Sequence, residues 1–514
     1  MHLRTCAVVL AGALLPLAVC GSELSQRRAA ERQARAAALK ALPDAVKRAN
    51  TPYANALAAV GQWLVGLQAK NDAQAVVTEI EALDDKNAAL VGLKKSVEGI
   101  ATPAFLDEAK QKELVTRLKA ARKTKASALV DMASTYYRSG LPKQAYELVQ
   151  QALEVDPDNN VARQALGQVK VNLPKPATPQ EGADKGGAEW KDPFTAQHMQ
   201  KGNVYVPELG WVPAQVAERV KNGEWFENGK WMPLDDADKL HSTAATPWVI
   251  ETQHFTLRST AGRKQSVQMA ERLEGMWQVC YAEYLDFFVR ERRGQQMSFT
   301  HAVSKKMLVH LFGEKADYDA MVKKELKAAP AIVAALLLLP LPGFYTPLTH
   351  ASCFNQTVPE PFRTVFSQNQ IASQILSEYA QTGAQGPRPW ISASVCDGVQ
   401  QATPDEKGRY TVPPGRKHPA VAKAAEMSQA GNIPQLAKLF TLDDTAFHNP
   451  LMPGNGETAA ALGRFLLETK EGAYAADYLE FVYDSYRGAK NASLNEYIGM
   501  DNATLEKEFW EYLK

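Results

Sequence analysis

One polar stretch of the chain has the spacing of a catalytic site but not its residue types. It runs from Ser367 to Val395 with the sequence SQNQIASQILSEYAQTGAQGPRPWISASV. Asn369 and Ser373 lie four residues apart, so on a helix they project from one face, with Gln370 beside Asn369. Two histidines at this spacing, with a glutamate after the first, bind zinc and activate a water molecule. The stretch contains no histidine and a single acidic residue.

The residues that occupy this spacing cannot support that chemistry. Asn369 offers a neutral amide oxygen and Ser373 a neutral hydroxyl, and both are poor zinc ligands beside imidazole or carboxylate. Gln370 cannot accept a proton at ordinary pH, so it cannot act as a general base. We therefore expect no metal-activated hydrolysis by this route.

A second set of residues could hold a metal elsewhere. His350 and Cys353 are three residues apart, and Cys396 lies downstream. A His/Cys/Cys zinc site is conceivable if these three distant side chains converge, although structural sites usually show tightly paired ligands. The alternative is a surface histidine and two buried thiols. With Cys280, three cysteines follow the N-terminal segment, which permits at most one disulfide and leaves a free thiol.

Length and charge limit the classes of function. A chain of 514 residues is too long for one core and predicts two or three domains. The 58 basic and 57 acidic residues give a formal charge of +1, which provides no electrostatic reason to expect nucleic acid or an anionic membrane surface. No phosphate-binding loop of the GxxxxGK[ST] type occurs in the sequence, so nucleotide chemistry has no support.

Residues 1–20 predict a secretory signal peptide. Arg4 precedes the apolar run CAVVLAGALLPLAVC, which ends at Gly21 and is too short for a comfortable membrane span. The sequence LAVC resembles a bacterial lipobox with Cys20 as the lipid-bearing residue, except that Val19 stands where Gly, Ala or Ser is usual. Simple cleavage and lipidation of Cys20 both remain open. Either predicts export to the periplasm or cell envelope, with membrane contact only through a lipid anchor.

Residues 23–171 predict an α-helical domain, because apolar residues recur at three- and four-residue steps. Its last part, LVDMASTYYRSGLPKQAYELVQQALEVDP, resembles a tetratricopeptide repeat at Leu129, Ala133, Tyr136, Ala145, Ala152 and Pro157. The alanines would let two helices approach closely, and Pro157 would stop the second. A single repeat cannot bury its own face, so the preceding helices must cover it. The domain could be a peptide-binding groove or a packing spacer.

Two short regions follow the helical domain. Residues 172–191 are rich in Pro, Gly and charge and predict a linker. Residues 192–245 contain two similar segments twenty residues apart, LGWVPAQVAERV and GKWMPLDDADKL. Their turn signals and aromatic residues predict a small module of strands and hairpins with Trp211 and Trp231 in its core.

Residues 246–514 predict an α+β domain, with strands early and helices late. WVIETQHFTLRS predicts one strand, RKQSVQMAERLEGMWQVCYAEYLDFF a long helix, and KKMLVHLFGEKADYDAMVKK a strand, a turn and a helix. The apolar insert at 329–344 is roughly half the ~20 residues that a membrane span requires and contains two prolines. It predicts a buried segment or a hydrophobic contact loop.

These elements together resemble a known family. A strand with the sequence HFTLRS, a long helix, a second strand, a further helix and a downstream P-x-W-[IL]-S are similar to the gluzincin-like (peptidase MA-like) domains of bacterial exported proteins. The resemblance covers roughly Trp248 to the C-terminus, and the Trp/Gly module and the terminal LEKEFWEYL look like the same kind of protein. Active members of the family carry a motif similar to HExxHQ on the helix. A second motif, similar to P-x-W-[IL]-x-E-G-[IL]-A, follows downstream. The resemblance implies a zincin-like fold with two histidines and a downstream glutamate as zinc ligands.

This pattern places Asn369 at the first histidine, Gln370 at the catalytic glutamate and Ser373 at the second histidine. Downstream, Ala393 falls on the third ligand, and Gln374 keeps the glutamine that follows the motif. We refer to Asn369, Gln370, Ser373 and Ala393 as the four matched positions. Since Ala393 has no donor atom, the resemblance implies a degenerate site with no metal, no cofactor and no catalytic residue.

The sequence therefore predicts a non-catalytic, peptidase-like scaffold or binding protein of the bacterial cell envelope. The cleft of such a fold would accept an extended peptide along a sheet edge, so the expected partner is a polypeptide or another envelope protein, and not nucleic acid. Two alternatives remain open. One is a hydrolase with a relocated metal site at His350, Cys353 and Cys396. The other is a structural protein that binds through its helical repeats.

Overall fold

The computed structural model describes residues 4–172, 188–289, 296–300, 305–325, 341–347, 349–383, 386–406, 408–449, 454–489 and 492–514, with the backbone alone for residues 4–25. The chain divides into two compact units, residues 1–193 with 291–300, and residues 194–290 with 301–514. Its helices and small mixed sheet make a mixed α+β structure, as the sequence predicts.

Helices make up most of the described part of the first unit. They are α1 (Arg4–Gly66), α2 (Lys70–Leu83), α3 (Ala88–Glu98), α4 (Glu108–Arg138), α5 (Pro142–Val155) and α6 (Asn160–Ala165). Their apolar faces form a core of α1, α2 and α3 residues that includes Leu57, Leu64, Val77 and Leu93. The periodicity of the sequence predicts these helices correctly.

Close packing of α4 on α5 agrees with the predicted alanine positions. Ala133, Ala145 and Ala152 have no exposed surface, and α5 ends at Val155, just before Pro157. Helix α1 also packs against α4. A preceding helix therefore covers the α4–α5 pair, and the tetratricopeptide resemblance stays a prediction.

The predicted signal peptide lies in a part of the chain that the structure describes only by its backbone. Helix α1 begins at Arg4 and continues without a break into the first unit. Export and lipidation of Cys20 stay predictions. None of the helices in the described ranges is both long and apolar enough to cross a bilayer.

The predicted linker lies largely outside the described residues, which stop at 172 and resume at 188. At its two ends are β1 (Val169–Asn172) and β2 (Ala188–Lys191). These strands pair antiparallel, with Val169 opposite Lys191.

Two consecutive hairpin–helix units follow α7 (Pro193–Gln200). The first is β3 (Asn203–Val206), β4 (Gly210–Pro213) and α8 (Ala217–Lys221); the second is β5 (Glu224–Glu227), β6 (Lys230–Pro233) and α9 (Leu234–Leu240). The predicted hairpins are confirmed.

The sequence predicts a tryptophan core for these units, and this prediction is wrong. The core consists of aliphatic residues, namely Val206, Leu209, Val212, Ala217, Val220 and Leu234. Trp231 is half-buried against that core. Trp211 is half-buried and stacks on His198, with ring centroids 4.8 Å apart.

A five-stranded mixed sheet organises the rest of the second unit. Its strands are β7 (Trp248–Glu251), β8 (Phe255–Ser259), β9 (Met307–Phe312), β10 (Gly343–Thr346) and β11 (Ala351–Asn355), in the order β10-β11-β9-β8-β7. The three central strands are parallel, and β10 and β7 are antiparallel to their neighbours. Most of the apolar insert, residues 329–340, lies outside the described residues, whereas its last residues begin β10.

The segment from 248 to 259 forms two strands, so the prediction of a single strand is wrong. Thr252 closes a tight turn between β7 and β8. Its backbone N–H donates to the carbonyl of Phe255 at 2.9 Å, and its hydroxyl oxygen accepts from the N–H of Phe255 at 3.0 Å. A local side-chain bond of this kind offers the backbone an alternative to continuous extension.

The remaining elements are mainly helices. They are α10 (Arg263–Glu283), α11 (Leu285–Val289), α12 (Lys315–Glu325), α13 (Phe362–Ala380), α14 (Pro389–Val399), β12 (Thr403–Pro404), β13 (Tyr410–Thr411), α15 (Pro419–Gln429), α16 (Leu436–Leu439), α17 (Asp444–Phe447), α18 (Asn455–Glu468), α19 (Ala475–Tyr486), α20 (Leu494–Ile498) and α21 (Asn502–Leu513). The predicted strand, turn and helix at 305–324 are confirmed as β9 and α12. The predicted long helix at 263–288 is interrupted at Tyr284, between α10 and α11.

Helix α13 is fixed on the sheet by Gln374, whose side chain is fully buried. Its amide oxygen accepts from the hydroxyl of Ser352 on β11 at 2.8 Å. Its amide nitrogen donates to the carbonyl of Leu308 on β9 at 2.9 Å. Because a buried polar group must keep its hydrogen bonds, this clamp sets the rotation of α13.

Helix α14 is positioned by a close approach of α18. A Cβ atom on Gly463 would lie 2.1 Å from the carbonyl oxygen of Ser394. The Ser394 hydroxyl and the Tyr478 hydroxyl are hydrogen-bonded at 2.6 Å. Because residue 463 is glycine, the backbones of α14 and α18 can approach each other this closely.

Candidate functional site

The second unit contains a cavity of about 880 Å³, which we call the α13–α14 cavity. Its described lining includes Tyr345, Pro347, Asn369, Gln370, Ser373, Ser377, Ser392, Ala393, Asp397, Asp444, Phe447, His448, Asn449, Asn455, Glu457 and Tyr486. Amides, hydroxyls and carboxyls dominate this lining. The volume lies within the range of small-molecule and side-chain binding sites.

All four matched positions line this one cavity. Asn369, Gln370 and Ser373 come from α13, as their spacing predicts. Ala393 comes from the first turns of α14 and is 8% exposed. Two helices separated in sequence thus bring together the residues that the family resemblance aligns.

A continuous chain of hydrogen bonds crosses the cavity wall. The backbone N–H of Tyr345 on β10 donates to the Gln370 amide oxygen at 2.9 Å. The Gln370 amide nitrogen donates to the Asn369 amide oxygen at 2.9 Å. The Asn369 amide nitrogen donates to a carboxyl oxygen of Asp397 on α14. Two of the four matched positions therefore link the edge strand to an acidic side chain.

Asp397 is the chemically distinctive residue of the cavity. Burial raises the pKa of its carboxyl to about 7, and the nearby Glu457 adds to that effect. The hydrogen bond from Asn369 opposes it, because that bond favours the charged carboxylate. Near neutral pH part of the Asp397 carboxyl is therefore protonated, whereas an ordinary carboxyl is fully ionised.

The cavity does not suit a zinc ion. The Asn369 oxygen already accepts a bond from Gln370, Ser373 offers only a hydroxyl, and Ala393 offers a methyl group. Zinc sites in proteins use imidazole, thiolate and carboxylate ligands. Among the described residues, no group of three or more His, Cys, Asp or Glu side chains is arranged to hold a metal ion.

The structure does not bring His350, Cys353 and Cys396 together. The His350 side chain is 61% exposed and contacts Glu378 at 2.9 Å. Cys353 is buried among apolar side chains that include Tyr318 of α12. Its neighbour Ser352 contacts α13 instead. Since successive strand residues point to opposite faces, the sheet separates Cys353 from α13.

Cys396 lies on the α13 side of the sheet, in α14. Its sulfur is 3.7 Å from the Tyr486 hydroxyl and 3.8 Å from the Ser392 hydroxyl. Burial raises the pKa of its thiol to about 12. Cys280, Cys353 and Cys396 are all free and buried, so the interpretation as buried thiols fits their placement.

The family resemblance, as drawn from the sequence, gives Asp397 no role. This residue lies four residues after Ala393, one helical turn along the same face of α14. That spacing is visible in the sequence. Its bond to Asn369 is not, because it depends on the packing of two separate helices.

We compared the chain with protein-family models, curated proteins and solved structures, and it matches none of them.

Proposed function

We propose that this chain is a non-catalytic, peptidase-like protein of the bacterial cell envelope that binds polypeptide at the α13–α14 cavity. One observation carries the proposal most directly: the four matched positions, which are aligned by sequence spacing alone, line a single cavity. The resemblance aligns residues from two segments, and both segments face the same cavity.

The bond between Asn369 and Asp397 adds independent support. Metal-binding histidines usually donate their second ring N–H to a carboxylate, which orients the ring. Asn369 occupies the first-histidine position and donates to the carboxyl of Asp397. The supporting carboxylate is thus retained beside a position that has lost its ligand.

A polypeptide ligand is favoured by the position of β10. It is the last strand of the described sheet on that side, and Tyr345 in it lines the cavity. An edge strand offers backbone groups to an extended chain. However, the Tyr345 N–H already donates to Gln370. A bound peptide should therefore place a side chain in the cavity as well as contact this edge.

Metal analysis, a cleavage assay and a binding assay on the purified full chain test the proposal. We expect no chelator-sensitive cleavage of a broad peptide mixture, together with binding of blocked peptides that Ser373→Trp abolishes by filling the cavity. Thr124→Trp, at an exposed position of α4, is the matched control. Stoichiometric zinc with chelator-sensitive cleavage would overturn the proposal. Binding that survives Ser373→Trp would favour the helical unit as the binding region.

A further inference from the structure

We propose that the α13–α14 cavity holds the protonated amine of a lysine side chain, with Asp397 as its counter-ion. This inference rests on the proposed function and names the chemical group that enters the cavity. The cation would come from the bound polypeptide.

The charges of the cavity wall are one-sided. Asp397, Asp444 and Glu457 are acidic, and His448 is the one described lining residue that could carry a positive charge. No lysine or arginine occurs in the described lining. A cleft lined by one sign of charge attracts the opposite sign.

Asp397 is half-buried at the cavity wall, and its hydrogen-bond partner is uncharged. Its partner is the Asn369 amide. Lys423 lies on α15, where its ammonium contacts Glu426 at 2.8 Å and also interacts with Glu457. Burying a charge is costly unless it is paired. A cationic ligand would supply the pairing that the cavity wall does not.

A lysine ammonium suits the remaining groups better than an arginine guanidinium does. Guanidinium binds best when both carboxyl oxygens are open to it, and one oxygen of Asp397 already accepts from Asn369. An ammonium group is compact and needs up to three separate acceptors. Asp397 and the hydroxyls of Ser373 and Ser392 line the same cavity.

Binding of a cation should depend on pH in a defined direction. Asn369 faces Asp397 from α13, and Glu457 adds negative charge from α18. Since the Asp397 carboxyl has a raised pKa, part of it is protonated near neutral pH and must release that proton when a cation binds. Affinity should therefore rise between about pH 6 and pH 8.

The test is titration calorimetry of the full chain with blocked pentapeptides. The peptide Ac-Ala-Ala-Lys-Ala-Ala-NH2 should bind about tenfold or more tightly than its norleucine analogue. Asp397→Asn should abolish that difference, while Glu496→Gln, at an exposed carboxylate outside the cavity lining, should keep it. An unblocked alanine pentapeptide separates a terminal amine from a lysine side chain, and tighter binding of that peptide would overturn the assignment to lysine.

Two other outcomes separate this inference from the proposed function. Equal binding of the lysine and norleucine peptides, still blocked by Ser373→Trp, would overturn the amine site and leave polypeptide binding intact. Failure of every peptide to bind would overturn both.

Discussion

The amide of Asn369 donates a hydrogen bond to the carboxyl group of Asp397, across the space between α13 and α14. This bond joins a position matched to a zinc-binding histidine with an acidic side chain whose pKa is raised to about 7. The cavity wall is thus polar and acidic, although it lacks metal ligands.

The first prediction concerns the stability contribution of Asp397. Its folded-state pKa of about 7 is above the ordinary value of 3.8, so the folded protein binds more protons than the unfolded chain between these values. The free energy of unfolding should therefore fall as the pH rises from about 4 to about 7. Asp397→Asn should remove this pH-dependent fall in the free energy of unfolding. At pH 8 the variant should therefore be more stable than the wild type by about 1–2 kcal/mol. Urea unfolding at pH 5 and pH 8 measures it.

The matched control for that measurement is Glu496→Gln, which changes an exposed carboxylate on α20. It should leave the pH dependence of unfolding as in the wild type. If Asp397→Asn and the wild type lose stability in parallel between pH 5 and pH 8, Asp397 is not a raised-pKa group.

The second prediction concerns the contact between α14 and α18. Gly463→Ala would place a methyl group 2.1 Å from the Ser394 carbonyl oxygen, and backbone atoms cannot move aside as a flexible side chain can. We expect a loss of about 2–4 kcal/mol in the free energy of unfolding. Gly92→Ala, on α3, meets no atom within 4 Å and should not destabilise the protein. Similar melting temperatures for both variants would contradict the close approach.

The third prediction concerns the clamp between α13 and the sheet. Gln374→Ala removes the partners of Ser352 and of the Leu308 carbonyl, which leaves buried polar groups unsatisfied. This should cost about 2–4 kcal/mol in the free energy of unfolding. Gln429→Ala, at an exposed position, is the control. Hydrogen exchange should show faster opening of α13, and unchanged protection there would contradict its role as a clamp.

The fourth prediction concerns thiol reactivity. Burial raises the pKa of Cys280 well above its usual value and that of Cys396 to about 12, and Cys353 is 2% exposed. Since the thiolate is the reactive form, these three thiols should resist labelling in the native protein at pH 8 and react fully after unfolding. Site-resolved mass spectrometry after alkylation measures this. Rapid native labelling of any of the three would show an exposed or activated thiol.

Local spacing predicts much of this structure. Asn369 and Ser373 share a helix face because they are four residues apart, and Gln374 occupies the next, buried face. What spacing cannot predict is which distant segments meet. Asp397 reaches Asn369 because α13 and α14 pack against each other, which spacing along the chain does not specify.

The turn at Thr252 was missed for the opposite reason. There the decisive interaction is local, but it comes from a single side-chain hydroxyl that ends one strand and starts the next. The strand-favouring residues on both sides of Thr252 predict a continuous strand, because they do not reveal this bond.

The central claim is that the four matched positions surround a former metal site. Restoring the ligands tests it most directly. The restored variant carries four substitutions: Asn369→His, Gln370→Glu, Ser373→His and Ala393→Glu. Asp397 is kept, because it should orient the new histidine at 369. A triple variant that keeps Ala393 serves as the control, since it lacks the third protein ligand.

The measurement is the zinc content of wild type, triple and quadruple variants after dialysis against trace zinc, with circular dichroism to verify folding. We predict about one zinc ion per chain in the quadruple variant, weaker retention in the triple variant and no stoichiometric zinc in the wild type. A folded quadruple variant that holds no more zinc than the wild type, or a wild-type protein that retains one zinc ion per chain, would contradict the account.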